Sequence, residues 1–165
     1  MQKLRYVLNT VIFYFCSFIL FVMVSDVSWQ VLSRYILDEP ASFTDELARF
    51  SMIWLGLLGG AVLFGTNGHL AVTIISDRCS EKYKKAWSLF IYMLIIAFVC
   101  FSMLYGGFNL VKRMLLQPSP ALHIPMGYVY SILPISGGLI IIFVALNIYD
   151  LFKNDKTNDE KVGDN

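Results

Sequence analysis

The sequence has little charge and few cysteines. Only 15% of its 165 residues are Asp, Glu, Lys or Arg, whereas an average soluble domain has about 25%. With 57% apolar residues, this excludes an ordinary soluble domain and a disordered chain. A net charge of +1 provides no basic surface for nucleic acid. The three cysteines lie far apart and form no CxxC pair, which argues against a disulfide framework or a zinc site.

Long apolar runs are what the sequence has instead. A membrane-spanning helix needs about 20 mostly apolar residues, and four segments meet this requirement: 11–33, 47–64, 86–110 and 126–151. Residues 153–165 have almost nothing to bury, so they are predicted to form a disordered tail. The sequence therefore predicts an all-α integral membrane protein with four transmembrane helices in one domain, residues 1–152.

Lysines and arginines near the helix ends predict the orientation, because they are enriched in cytoplasmic loops. Most of the 13 lie near the two termini or in the loop between the second and third helices. Both termini are therefore predicted to be cytoplasmic. The outer surfaces of the spans are also predicted to contact membrane lipid. In the same loop, apolar residues stand beside polar ones from His69 to Ser76, which predicts a short amphipathic segment along the cytoplasmic membrane surface.

Asp26 and Arg49 fall within the first two spans, and Glu46 directly precedes the second. Charges at membrane depth are costly, so each needs a partner or a role. Asp26 and Arg49 lie at comparable depth, taking a rise of about 1.5 Å per residue, and we predict that they approach each other. With Glu46 they are expected to fix the first two helices against each other. Asp26 could alternatively carry an ion or a proton, but such sites usually need several polar groups and a broken helix.

Small residues mark possible helix contacts. Gly56 and Gly60 form a GxxxG pair, which lets two helices approach closely in lipid. Trp54 lies deeper than the aromatic residues at the helix ends and is a candidate for packing against a partner helix. Glycine pairs at 106–107 and 137–138 are candidates for similar contacts, and Pro134 predicts a kink in the fourth helix.

Enzyme chemistry has little support in the sequence. A haem held by two histidines needs them at one depth on facing helices, but His69 and His123 are predicted on opposite sides of the membrane. The sequence shows no Gly-rich phosphate loop, nucleophile elbow or metal-ligand cluster. We predict no catalytic, cofactor-binding or metal-binding residues. A membrane anchor of a redox enzyme and a small stand-alone transporter remain as alternatives.

An ordered series of motifs runs along the chain: WQVLSRY at 29–35, FTDELAR at 43–49, IWLGLLGGA at 53–61, GHLAV at 68–72, SPALHIP at 119–125 and YSILPISG at 130–137. This series resembles the small membrane subunit of TRAP transporters, the tripartite ATP-independent periplasmic transporters, of the DctQ or SiaQ type. The resemblance covers about residues 5 to 152. Phe43 departs from the family, which often has Trp there, although an aromatic ring is kept.

The resemblance implies a location in the bacterial inner membrane and an obligate complex with a large multi-spanning subunit. That subunit carries the substrate and sodium sites, so the sodium gradient is used by the partner and this chain needs no cofactor. A periplasmic binding protein delivers an organic anion, such as sialic acid or a C4-dicarboxylate. The chain itself resembles a fixed scaffold.

The implied contacts fall into two sets. Trp54, Gly56 and Gly60 are expected to contact the large subunit. A second set consists of polar residues on the outer face, which either help to dock the binding protein or form an ordinary solvated rim. Its members are Arg34, Asp38, Glu39, Lys112, Arg113 and Gln117.

Overall fold

The computed structural model describes residues 2–36, 42–66 and 81–163, with side chains at 3–36, 42–65 and 86–151. Its helices are α1 (Gln2–Tyr35), α2 (Ser42–Thr66), α3 (Glu81–Phe98), a π-helix (Val99–Gly106), α4 (Gly107–Met114), α5 (Met126–Tyr130) and α6 (Ile132–Gly163). Within these residues, four helical stretches are long and apolar enough to cross a membrane: Lys3–Tyr35, Ser42–Gly65, Ala86–Met114 and Met126–Leu151. The predicted helical protein with four membrane-spanning helices is confirmed. The amphipathic segment predicted at residues 69–76 lies outside the described residues.

The first span begins earlier than its apolar run. α1 has 34 residues and is about 50 Å long at 1.5 Å per residue, whereas the hydrocarbon core is about 30 Å thick. The early turns are fixed by Arg5, whose guanidinium donates to Asn147 Oδ1 at 2.5 Å and lies 3.1 Å from Asp150 Oδ2. The start of α1 therefore lies beside the end of the fourth span. We call this the terminal end of the molecule.

The third span changes its helical type part-way. α3 passes into the π-helix at Val99, and the regular α-helix resumes at Gly107. A Cβ atom at Gly137 of α6 would lie 3.0 Å from Met103 Cβ in the π-helix, and one at Gly107 would lie 3.0 Å from Pro134 Cδ. These two glycines therefore provide close contact between the third and fourth spans of the same chain.

The fourth span is broken at Ser131. α5 ends at Tyr130 and α6 begins at Ile132. Pro134 has no N–H to donate, and its ring crowds the carbonyl four residues earlier, that of Tyr130. The regular helix is thus interrupted one turn before the proline, where Ser131 keeps helical backbone angles (φ −59°, ψ −21°), and the kink stays a prediction. α6 continues to Gly163 with no break at the predicted tail, whose side chains lie outside the described residues, so the disorder of residues 153–165 stays a prediction.

The core forms around α6. Phe143 packs with residues of α1 and α2, while Val144 packs with α2, α3 and the π-helix. In the most apolar stretch of each span, 44% of the residues of the fourth are buried, compared with 6% of the first. The fourth span is therefore the centre of the bundle, and α1 lies at its periphery with most of its surface uncovered by this chain.

Candidate functional site

The connection between α4 and α5, which we call the 115–125 loop, is closed by its own backbone. The N–H of Ser119 donates to the carbonyl of Ile124 at 2.9 Å, and the N–H of His123 donates to the carbonyl of Ser119 at 3.2 Å. His123 has a φ of 53°, in the left-handed region that residues other than glycine seldom adopt. We call the end of the molecule that carries this loop the loop end.

Glu46 attaches the 115–125 loop to α2. Its Oε1 accepts a hydrogen bond from the N–H of Ala121 and its Oε2 one from the N–H of Leu122, each at 3.0 Å. Hydrogen bonds to an ionised acceptor are stronger than those between neutral groups. Glu46 was expected to fix α1 against α2, and this is corrected: its carboxylate joins α2 to the loop, because two neighbouring backbone donors there need an acceptor.

The predicted charge pair of Asp26 and Arg49 is not formed. Asp26 is 8% exposed, and its Oδ2 accepts no hydrogen bond within the described part of the chain. Arg49 is exposed. Leu47 lines the cavity beside Asp26, and residues two apart on a helix do not share a face, so Arg49 points away from Asp26. A hydrogen bond from Gln30 Nε2 to Asp45 Oδ1 joins α1 to α2 instead.

Of the predicted large-subunit contacts, Trp54 makes a hydrogen bond within this chain, whereas the glycines form a face that no described residue covers. Trp54 Nε1 donates to the carbonyl of Val129 at 3.1 Å, which joins α2 to α5 within this chain. A Cβ atom at Gly56, Gly59 or Gly60 would meet no atom of the described residues within 4 Å. The glycine face of α2 is therefore open, and contact of Trp54, Gly56 and Gly60 with a large subunit stays a prediction.

The predicted docking residues that the structure describes share the loop end. Arg34 is near the end of α1, Lys112 and Arg113 are near the end of α4, and Gln117 is in the 115–125 loop; all of them are exposed. Asp38 and Glu39 lie outside the described residues.

A polar cluster at the terminal end was missed at the level of sequence. Asn147 is 1% exposed; it accepts from Arg5 and its Nδ2 donates to the carbonyl of Phe64 at 3.1 Å. Phe64 lies in the last turn of α2, where carbonyls have no partner inside the helix. One signal was present, since the charges before the first span and after the fourth were predicted on the same side. That shared side of the membrane does not specify which charges meet, so the pairing of Arg5 with Asp150 was not predicted.

The described residues include no group of three or more His, Cys, Asp and Glu side chains that could hold a metal ion. The ordered polar contacts instead join helices to each other and to the 115–125 loop. This arrangement suits a protein that forms a fixed unit and presents surfaces to partners.

Comparison with known proteins decides the family. The family model described as "Tripartite ATP-independent periplasmic transporters, DctQ component" matches residues 22–154, which is most of the chain. The chain belongs to the DctQ family. The family resemblance seen in its motifs is thereby confirmed, and the four spans make this DctQ-family chain a multi-pass membrane protein.

Three relatives show how the DctQ-family chain compares in length. It is 35% identical over 127 residues to the isethionate TRAP transporter permease protein DctMQ of Oleidesulfovibrio alaskensis, covering 68% of this chain but 19% of that protein. It is 27% identical over 140 residues to a putative TRAP transporter small permease protein of Haemophilus influenzae, covering 85% of this chain and 86% of that protein. It is 23% identical over 154 residues to the sialic acid TRAP transporter small permease protein SiaQ of Vibrio cholerae, covering 93% of this chain and 88% of that protein.

The DctQ-family chain thus spans about a fifth of the DctMQ permease and most of the two small permease proteins. All three relatives are named as transporter proteins. The alternative of a redox-enzyme anchor is therefore not favoured.

Proposed function

We propose that this chain is the small scaffold subunit of a sodium-gradient-driven, binding-protein-dependent importer of an organic anion. It braces a large transport subunit in the bacterial inner membrane, with both termini in the cytoplasm. The chain is not an enzyme and holds no cofactor, and the sodium gradient is used by the large subunit. Membership of the DctQ family is the observation that carries this proposal.

The internal contacts support a bracing role. Arg5 joins the first span to the fourth, Trp54 joins the second to the fourth, and close packing at Gly137 joins the third to the fourth. A brace must keep its shape under load, and these contacts connect the first three spans to the fourth. The match to part of the much longer DctMQ permease supports a large permease subunit as the partner.

The loop end supports a second part of the proposal, contact with the periplasmic binding protein. Lys112 and Arg113 are exposed there, and the 115–125 loop beside them is fixed by Glu46. Exposed charges on a fixed surface suit a soluble partner that must bind and leave repeatedly, because complementary charges mainly raise the association rate.

The proposal is tested by purifying the tagged chain from native membranes in mild detergent and identifying what comes with it by mass spectrometry. We expect a large multi-spanning permease in about equal amount. Proteoliposomes holding this complex should then take up an organic anion only with a sodium gradient and the binding protein present; sialic acid, a C4-dicarboxylate and isethionate are the first anions to try. Recovery of redox subunits with a visible haem band, or of this chain alone, would contradict the proposal.

A further inference from the structure

An open groove runs along the line where α1 and α2 meet. Five of the eight α1 residues that line its two cavities recur three or four positions apart: Phe15, Ile19, Val22, Asp26 and Trp29. This spacing keeps them on one face of the helix. The two cavities have volumes of about 250 Å³ and 480 Å³. From Phe15 to Trp29 the α1–α2 groove is about 21 Å long at 1.5 Å per residue, most of the thickness of a hydrocarbon core.

The walls of the α1–α2 groove are aromatic and uncovered. Phe18, Phe21, Trp29 and Phe43 line it and are all exposed in this chain. Exposed apolar side chains on a membrane helix can face lipid as readily as protein. The walls alone therefore do not identify what fills the groove.

The environment of Asp26 indicates whether lipid or protein fills the groove. Its side chain lines the wider cavity although the residue is 8% exposed, and its Oδ2 accepts no hydrogen bond from the described residues. The nearby charged side chain of Asp45 is also negative, so it repels a charged Asp26 and does not stabilise it. The last torsion of an Asp side chain is soft, so either oxygen can turn towards the groove.

A buried carboxylate in an apolar environment is costly unless a cation or several donors meet it. Arg49, the nearby cation that the sequence suggested, lies on another side of α2. Hydrocarbon tails cannot supply a donor. Neither lipid tails nor the described residues supply a donor to Asp26 Oδ2, whereas a protein partner that reaches membrane depth can.

We propose that a transmembrane helix of the large permease subunit lies in the α1–α2 groove, and that a Lys or Arg side chain of that helix pairs with Asp26. The inference rests on the proposed function and identifies the surface through which the scaffold holds its partner. The groove has the length and the apolar walls that such a helix requires, and the carboxylate provides the complementary charge. This surface differs from the glycine face, because Gly56 and Gly60 lie on the opposite side of α2 from Leu47 and Trp54, given about 100° of rotation per residue.

Photo-crosslinking in the assembled complex tests the position of the partner helix. The crosslinker p-benzoylphenylalanine replaces Phe18 or Phe21 in the groove, and Phe98, an exposed residue on the third span, as the matched control. We expect adducts with the large permease from the two groove positions, within a spanning segment that contains Lys or Arg. Adducts from Phe98 alone, adducts only with lipid or with a second copy of this chain, or a segment without a basic residue would each overturn the inference.

Removal of the charge tests the ion pair. In Asp26→Asn the shape is kept and the charge is lost, so recovery of the large permease per tagged chain should fall about tenfold or more, because its buried cation loses its partner. Asp45→Asn is the matched control, since Asp45 is exposed and bonded to Gln30 within this chain, and it should leave recovery unchanged. The isolated Asp26→Asn chain should melt no lower than the parent chain. Unchanged recovery with Asp26→Asn would refute the ion pair.

A charge exchange separates pairing from folding. When the basic residue found in the crosslinked segment is changed to Asp and combined with Asp26→Lys, assembly should return, whereas Asp26→Lys alone should abolish it. No recovery in the double variant would refute direct pairing. If the parent chain recovers no large permease at all, the proposed function fails; if it does but the groove variants behave like their controls, only this inference fails.

Discussion

At the scale of single residues, Glu46 determines how the 115–125 loop is held. It accepts from the N–H groups of Ala121 and Leu122 at 3.0 Å each. In Glu46→Gln the side-chain nitrogen would face one of these donors and leave it unpaired. We expect amide hydrogen exchange to become several-fold faster at the N–H of Ala121 or Leu122 that loses its acceptor. Exchange measured on the purified chain in detergent checks this.

The neighbouring acid provides the control for Glu46. Asp45 is exposed and bonds Gln30 rather than the loop, so Asp45→Asn should leave exchange in the loop unchanged. If Glu46→Gln also leaves it unchanged, the loop is held by its own backbone bonds, such as the one from Ser119 to Ile124, and the role given to Glu46 is wrong.

At the scale of helices, two adjacent glycines of α6 provide a test of how closely α6 packs against the π-helix. A Cβ atom at Gly137 would lie 3.0 Å from Met103 Cβ, while one at Gly138 would meet nothing within 4 Å among the described residues. Both changes to alanine gain about 1 kcal/mol of helix propensity. Gly137→Ala should therefore unfold at a lower temperature than Gly138→Ala in the same detergent. Equal melting temperatures would mean that the π-helix shifts away without cost.

The sequence predicted the spans well because apolar length is a local property. Their bounds and internal breaks depend on distant residues. α1 is longer than its apolar run because Arg5 meets Asn147 and Asp150, which lie on the last span. The break at Ser131 was largely predictable, since Pro134 removes a helical donor wherever it stands. The π-helix had no signal of its own in the sequence.

The candidate site was less predictable for the same reason. Glu46 had a sufficient local explanation near the start of α2, where an acid suits the helix dipole. Only the fold shows the N–H groups of Ala121 and Leu122 beside it. The charge pair of Asp26 and Arg49 failed because similar depth on two helices does not specify which faces meet.

At the scale of the whole molecule, the polar contacts lie towards the two ends of the bundle. The terminal end is closed by Arg5, Asn147 and Asp150, so the start of the first span and the end of the fourth stay together. The loop end is closed by Glu46 and carries the exposed basic residues. A chain held at both ends keeps the same arrangement along its length and still exposes the basic residues of the loop end.

The loop end should therefore affect transport without affecting assembly. Charge reversal at Lys112 and Arg113 removes attraction for an acidic partner surface, and such changes act mainly on association rates and weaken as salt screens them. We expect uptake at limiting binding protein to fall about tenfold at low salt, with the amount of assembled complex unchanged. Lys3→Glu, an exposed reversal at the terminal end, should leave uptake intact. Unchanged uptake after reversal at Lys112 and Arg113 would mean that they form an ordinary solvated rim, and loss of the complex itself would mean that they support its structure.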